Sequence, residues 1–83
     1  MPALRLAMAQ INTTVGGFDT NIAKILKTIE EARSLGADLI TFPELAICGY
    51  PPEDLLFRSR FIKENLKSLD KVIKASEGLT III

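Results

Sequence analysis

Three side chains that could do chemistry stand close together in the middle of the chain: a carboxylate, a thiol and a phenol. They are Glu44, Cys48 and Tyr50. Glu44 follows an apolar run and comes directly after Pro43, which has no N–H to donate to a sheet ladder and so marks the end of a central strand. Open α/β sheets bind their ligands at the carboxyl ends of their strands. The sequence therefore predicts that Glu44 lies where a reactive carboxylate is expected.

Glu44 is a candidate general base, which must reach the proton that it takes within a cleft. The alternative is a carboxylate that caps the next turn or is simply solvated at a strand end, and position alone leaves both open. The reference pKa is about 4.3 for Glu and about 8.5 for a thiol. The difference of about 4 units corresponds to roughly 6 kcal/mol against proton transfer from the thiol to the carboxylate. Desolvation of the Glu and a cation beside the thiol must close most of that gap. No cation is near Glu44 in the sequence, so it must come from elsewhere in the fold.

Cys48 and Tyr50 have different prospects. Cys48 is the only thiol, and the chain has no histidine to activate it, so a structural role before Gly49 is favoured over a nucleophilic one. The absence of histidine also excludes a Ser-His-Asp triad and the usual zinc sites from this chain alone. Tyr50 lies in a stiff loop before Pro51 that could hold its hydroxyl over a pocket mouth. We favour that interpretation over a ring that only packs on the sheet.

Two other motifs have simpler explanations. Glu53 and Asp54 could bind a metal, but an acidic pair more often occupies the first turn of a helix, where it complements the helix dipole. Gly16 and Gly17 follow the first strand but lack the G-x-G-x-x-G spacing of a phosphate-binding loop, so we interpret them as a turn. No metal site and no bound cofactor are predicted for this segment.

Composition limits the partners that the chain can have. Among the 83 residues, ten basic side chains balance ten acidic ones without any basic run, so no nucleic acid and no membrane partner is predicted. One cysteine allows no intrachain disulfide, which favours a cytoplasmic location. No segment approaches the ~20 apolar residues of a membrane span. The 48% of hydrophobic residues suffices for one small core.

Hydrophobic spacing predicts an α/β fold in which the elements follow the order β-α-β-α-β, with parallel strands and right-handed crossovers. The predicted strands cover residues 4–10, 37–42 and 79–83. The first helix is capped by Asp19 or Thr20 and is stopped by Gly36, and the second helix covers residues 59–76. The apolar strand at residues 79–83 leads us to expect the front part of a longer protein. Bare sheet edges and helix faces then favour a homo-oligomer.

Apolar faces can be assigned to each element. In the first strand Ala7 and Ala9 share a face that is small enough for close packing by a helix, and the other face carries Leu4, Leu6 and Met8. The second strand is apolar on both faces, which predicts cover on each side. The stripe predicted to be buried in the first helix contains Ile22, Ile25, Leu26, Ile29 and Ala32. In the second helix the predicted stripe contains Ile62, Leu66, Leu69 and Ile73.

Two motifs give the chain a family resemblance. They are Phe42-Pro43-Glu44-Leu45 and Gly49-Tyr50-Pro51-Pro52-Glu53-Asp54-Leu55-Leu56. Together with residues 6–12 and 16–21, they resemble the nitrilase (carbon–nitrogen hydrolase) superfamily. The second motif is most similar to the glutaminase domains of glutamine-dependent NAD synthetases. The resemblance implies that residues 1–83 are the N-terminal fragment of a glutamine amidohydrolase domain, the β-α-β-α-β part of an α-β-β-α sandwich.

The resemblance also implies a set of roles. Glu44 matches the general base that activates a catalytic thiol, whereas the family's lysine and nucleophilic cysteine come from strands beyond Ile83. Cys48 does not match the nucleophile, and Tyr50 falls in the loop that borders the glutamine pocket. ATP and deamido-NAD would bind a separate synthetase domain, and the 83-residue chain by itself should be inactive. The alternatives are another amidase or nitrilase of the superfamily, a non-catalytic α/β binding or assembly module and, more distantly, a Rossmann-type nucleotide binder.

Overall fold

The computed structural model describes residues 3–83. Its elements are β1 (Leu6–Met8), α1 (Phe18–Ser34), β2 (Leu39–Thr41), a short 3-10 helix (Glu53–Phe57), α2 (Ser59–Ala75) and β3 (Thr80–Ile82). The strands form one parallel sheet in the order β1-β2-β3. The predicted β-α-β-α-β part of an α/β fold is therefore confirmed, although each strand has only 3 residues. Neither α1 nor α2 is long and apolar enough to cross a membrane.

The inner face of the sheet is one row of apolar side chains. Ala7, Ile40 and Ile81 are aligned across the three strands. Ile40 is fully buried, and the other two pack against the same hydrophobic core. Because side chains alternate along a strand, Ala9 points to this face as well. The prediction that small residues of β1 face a helix is confirmed.

The outer face of the sheet is largely exposed. Leu6, Met8 and Ile82 are exposed, and Leu39 and Thr41 of the central strand are half-buried. Both helices pack on the opposite face, since residues of both belong to the core around Ile40. Within residues 3–83, the prediction that β2 is covered on both faces is therefore wrong. The strand order explains this result, because two successive connections that cross the sheet in the same direction lie on the same face.

Helix α1 buries the predicted stripe but begins earlier than predicted. Ile22, Ile25, Ile29 and Ala32 are buried, and Leu26 is half-buried. The residue before the helix is Gly17, and no side chain caps the first turn. The prediction of a cap at Asp19 or Thr20 is thus wrong, because the Asn21 N–H already donates to Gly17 O at 2.9 Å. Asp19 lies inside the first turn, where its negative charge interacts favourably with the positive end of the helix dipole.

The end of α1 is a Schellman motif, as the predicted glycine requires. Gly36 has a φ of +75°, a conformation that side chains with a Cβ rarely adopt. Its N–H donates to Arg33 O at 3.1 Å, and the N–H of Ala37 donates to Ala32 O at 3.0 Å. These bonds satisfy carbonyls at the end of the helix and turn the chain into β2.

Helix α2 does not bury its predicted stripe. Ile62, Leu66 and Ile73 are exposed, and only Leu69 is half-buried. The buried positions lie on an adjacent line of the helix: Phe61, Ser68 and Val72. The apolar arc of α2 spans both lines, so periodicity alone does not tell which line faces the core.

The two helices lie side by side and contact each other at both ends. The rings of Phe18 and Phe61 pack edge to face, with centroids 5.1 Å apart and an interplanar angle of 60°. At the other end, Nη2 of Arg33 donates to Ala75 O at 2.7 Å and to Glu77 O at 2.9 Å. These contacts fix the helix layer over the sheet.

Candidate active site

Glu44 lies just beyond the carboxyl end of β2, as predicted. Two backbone bonds hold the strand end in register: Ala9 N to Thr41 O at 2.9 Å and Phe42 N to Ile82 O at 3.0 Å. The chain then leaves the sheet at Pro43, and Glu44 is exposed. No ion pair within residues 3–83 engages its carboxylate. The side chain is therefore accessible to a reacting group at the edge of the sheet where α/β folds place their sites.

Residues 42–52, which we call the second loop, begin with a tight turn. The Gly49 N–H donates to Leu45 O at 2.8 Å and closes the turn. Leu45 has a φ of +53° and Gly49 a φ of +86°. Residues 46–49 are buried, whereas Glu44 and Tyr50 on either side of them are exposed. The middle of the loop is thus anchored in the protein while both predicted site residues face outwards.

The second loop packs against residues 9–17, which follow β1 and which we call the first loop. Gly16 N donates to Cys48 O at 2.9 Å. A Cβ on Gly49 would lie 2.6 Å from the carbonyl carbon and oxygen of Thr14 and from the Cα of Val15. Real Cβ atoms do not approach backbone this closely, so only glycine fits. The two loops at the carboxyl end of the sheet are in direct backbone contact.

Asn21 connects α1 to both loops. Its side chain is 0% exposed. Its Oδ1 accepts from Thr14 N at 2.8 Å, and its Nδ2 donates to Thr14 O at 2.8 Å and to Ile47 O at 3.0 Å. Both donors of the amide are used, as the cost of burying an unpaired polar group requires. The exposed Lys24, one turn later, adds a bond from its Nζ to Asn12 O at 2.7 Å.

Sequence reasoning missed Asn21 as a site residue. One signal was available, because residue 21 lies four positions before Ile25 on the buried line of α1. A polar residue on such a line needs a hydrogen-bonding partner inside the protein. The partners themselves were not visible in the local pattern.

Tyr50 is 64% exposed at the end of the second loop. Most of the side chain is therefore open to solvent, and its role at a pocket mouth stays a prediction. Its place beside Gly49 puts the phenol on the same loop as Glu44 and at the same end of the sheet. The loop thus carries a carboxylate and a phenol that a small molecule can reach.

Cys48 is enclosed rather than reactive. It is 3% exposed, and its Sγ contacts Gly49 O at 3.4 Å. Burial raises the pKa of the Cys48 thiol above its ordinary range, and a backbone hydrogen bond offsets only part of this effect. The thiolate is the nucleophilic form of cysteine, so this thiol is poorly suited to attack a substrate. The geometry agrees with the structural role that the sequence favours.

Two neighbouring features are distinct from the Glu44 surface. An apolar groove of about 240 Å³ lies between the second loop and α2, and its lining includes Cys48, Leu56 and Leu69 but neither Glu44 nor Tyr50. Glu53 and Asp54 lie in the first turn of the 3-10 helix, as predicted. Within residues 3–83 no group of three metal-ligating side chains converges.

Known proteins resemble this chain over nearly its whole length. The glutamine-dependent NAD(+) synthetase of Thermotoga maritima is 41% identical over 83 residues, which is 100% of this chain and 14% of the relative. The synthetase of Aquifex aeolicus is 45% identical over 80 residues, covering 96% of this chain and 14% of the relative. The chain thus spans about one seventh of these relatives.

Solved structures and a family model agree with these relatives. The crystal structure of a glutamine-dependent NAD(+) synthetase from Cytophaga hutchinsonii superposes with a TM-score of 0.89 at 27% identity, covering 94% of this chain and 13% of that chain. The structure of the glutamine-dependent NAD+ synthetase from Acinetobacter baumannii, in complex with ADP, superposes with a TM-score of 0.77 at 38% identity. It covers 83% of this chain and 13% of that chain. The carbon-nitrogen hydrolase family model matches residues 5–82. The chain therefore belongs to the carbon–nitrogen hydrolase family.

Proposed function

We propose that residues 1–83 act as the N-terminal part of the glutaminase domain of a glutamine-dependent NAD synthetase. The complete domain would hydrolyse the side-chain amide of glutamine and supply ammonia for the amidation of deamido-NAD. The observation that carries this proposal is the 41% identity to the Thermotoga maritima synthetase along the entire chain. It is supported by the exposed position of Glu44 at the carboxyl end of β2.

In this proposal Glu44 is the general base. Its carboxylate takes the proton of a nucleophilic thiol, the sulfur attacks the amide carbon, and the nitrogen leaves as ammonia with the proton returned from Glu44. Glu44 then takes a proton from water, whose oxygen attacks the thioester carbon; the C–S bond breaks, glutamate leaves, and the sulfur takes its proton back from Glu44. The thiol and a lysine lie outside these residues, and the lysine supplies the cation that offsets the roughly 6 kcal/mol proton-transfer gap between reference Glu and Cys.

The remaining roles follow from the same proposal. Tyr50 borders the glutamine pocket, since its exposed phenol lies on the loop that carries Glu44. ATP and deamido-NAD bind a separate ligase domain that uses the ammonia. The complete enzyme is cytoplasmic and forms a homo-oligomer.

A chimera tests the proposal: residues 1–83 replace the matching segment of the Thermotoga maritima synthetase. We expect the chimera to release ammonia from glutamine and to use it for NAD synthesis, and we expect the isolated 83-residue chain to release none. NAD synthesis from added ammonium salt checks that the rest of the chimera is folded.

Two outcomes would contradict the proposal. One is a chimera that makes NAD from ammonium but releases no ammonia from glutamine. The other is a chimera that hydrolyses a simple aliphatic amide or nitrile faster than glutamine, which would favour another enzyme of the superfamily.

A further inference from the structure

The buried amide of Asn21 is placed to control the geometry of Glu44 from a distance. We propose that Asn21 is a positioning residue, which holds the second loop so that Glu44 can exchange a proton with the catalytic thiol. This inference rests on the proposed function for the reaction that it serves. The hydrogen bonds that carry it do not depend on that function.

One hydrogen bond joins the Asn21 side chain directly to Ile47 in the second loop. Nδ2 donates to Ile47 O at 3.0 Å, in the middle of the turn that Gly49 N and Leu45 O close at 2.8 Å. Glu44 immediately precedes this turn and has no ion pair of its own within residues 3–83. The sheet holds the backbone before Glu44 through Phe42 N and Ile82 O, and Asn21 fixes the backbone after it to α1.

Two further hydrogen bonds join the Asn21 side chain to the Thr14 backbone in the first loop. The same amide accepts from Thr14 N and donates to Thr14 O, both at 2.8 Å. The first loop then contacts the second through Gly16 N and Cys48 O at 2.9 Å. Helix α1, the first loop and the second loop form a closed ring of contacts, so the turn beside Glu44 is held from two sides.

The chemistry of the side chain explains why this residue is asparagine. Ile47 O needs a donor, Thr14 N–H needs an acceptor, and Thr14 O takes a second donor beside Gly17 N; a primary amide supplies all three bonds. Aspartate would place a buried negative charge against two carbonyl oxygens, and glutamine is longer by one methylene. Asn21 is 0% exposed and Ile47 is buried as well, so water has no access to replace the bond between them.

The experiment uses the chimera with Asn21→Ala and Asn21→Asp, and Lys24→Met as the matched control. Lys24 lies on the same helix and bonds only to the first loop, at Asn12 O. Glutaminase rates are expressed per active site, counted by titration of the nucleophilic thiol. We expect both Asn21 variants to lose about 10- to 100-fold in kcat, the range for a misplaced catalytic group, while KM for glutamine changes less than about threefold. Lys24→Met should stay within about twofold of the unmodified chimera.

A double-variant cycle separates positioning from general damage to the fold. In a Glu44→Asp background the carboxylate is already displaced, so Asn21→Ala should cost less there than in the unmodified chimera. An undiminished fold-loss in that background, or a kcat within about twofold of the unmodified chimera, would overturn the positioning role.

Hydrogen exchange distinguishes failure of this inference from failure of the proposed function. Asn21→Ala should speed exchange at the Gly49 amide by about tenfold or more relative to Lys24→Met, whether or not the chimera hydrolyses glutamine. Unchanged exchange overturns the inference even if the enzyme is active. Faster exchange in a chimera without glutaminase activity shows that the loop is held by Asn21, and that the proposed function, rather than the attachment, is wrong.

Discussion

The two ends of the parallel sheet are held by different chemistry. At the carboxyl end, one uncharged and fully buried amide, that of Asn21, bonds to the backbone of two loops. At the amino end, charged and more exposed side chains do comparable work. Arg5 Nη1 donates to Leu35 O at 2.9 Å, and Asp38 Oδ2 accepts from Arg5 N at 2.8 Å.

The two ends differ in whether water can replace a hydrogen-bond donor that is lost. A donor at the surface that is lost can be substituted by water, so its removal costs little. Removal of the buried Asn21 amide leaves the buried Ile47 O without its donor, which costs much more, whereas Thr14 O still accepts from Gly17 N at 2.9 Å. Geometric precision is therefore concentrated at the carboxyl end, next to Glu44, while the amino end tolerates change.

The largest effect should come from Glu44 itself. We expect Glu44→Gln to lower glutamine hydrolysis by the chimera about 10³-fold or more, since the amide cannot accept the thiol proton. NAD synthesis from ammonium should be unaffected. The matched control is Glu53→Gln, an exposed carboxylate in the 3-10 helix, which should change turnover less than about twofold. Equal turnover in Glu44→Gln and the unmodified chimera would leave only a structural role for this carboxylate.

The next effect should come from the loop contact at Gly49. Gly49→Ala places a Cβ 2.6 Å from the Thr14 backbone. We expect the local free energy of opening to fall by about 2–4 kcal/mol, measured by hydrogen exchange at amides of both loops. Gly78→Ala is the control, because Gly78 has a similar φ of +74° but nothing within 4 Å. Its cost should be only about 1 kcal/mol, that of a left-handed alanine. Equal costs would mean that the loops do not need their close approach.

A smaller effect is expected at the amino end. Arg33→Ala removes three side-chain hydrogen bonds, to Ala75 O, Glu77 O and Glu30 Oε1, from a side chain that is 37% exposed. We expect a cost of about 1 kcal/mol, seen as faster hydrogen exchange near Leu79. Glutaminase turnover should stay within about twofold, since the site is at the opposite end. A loss of turnover as large as that of Asn21→Ala would break the contrast between the two ends.

The smallest effect should come from Cys48. Burial raises the pKa of the Cys48 thiol, so its thiolate fraction at a given pH is smaller than that of an ordinary cysteine, and at 3% exposure the sulfur is also shielded from reagents. Alkylation of Cys48 by iodoacetamide, followed by peptide mass, should therefore be much slower in the folded chimera than in urea at the same pH. Cys48→Ala should keep glutaminase turnover within about threefold. Loss of turnover in this variant would instead assign Cys48 a part in the chemistry.

The local pattern was sufficient where a single line of apolar side chains along a helix marks the face that packs on the core. The spacing of Ile22, Ile25 and Ile29 predicted the buried face of α1, and Gly36 predicted its end. In α2 the same reasoning failed because Phe61 and Ile62 lie on adjacent apolar lines and only packing decides between them. That decision comes from α1 and the sheet, and local periodicity does not contain it.

The candidate site divides in the same way. Pro43 and the apolar strand before it were enough to predict where Glu44 lies. Asn21 was missed because its role depends on Thr14 and Ile47, which are 7 and 26 residues away along the chain. Gly49 has a positive φ, which glycine adopts readily, but the stronger demand on it is the close approach to Thr14, which sequence order does not reveal.

The close approach of Gly49 to Thr14 and Val15 has a consequence for redesign of the two loops. Because this contact leaves no space for a Cβ, we expect a residue inserted or deleted beside it to displace the facing loop. We therefore expect libraries that vary side chains at fixed loop length, for example at Tyr50, to yield far more folded variants than libraries that vary length. A change in length beside this contact would have to be made in both loops together. Residues 9–17 and 42–52 should therefore be redesigned as one unit.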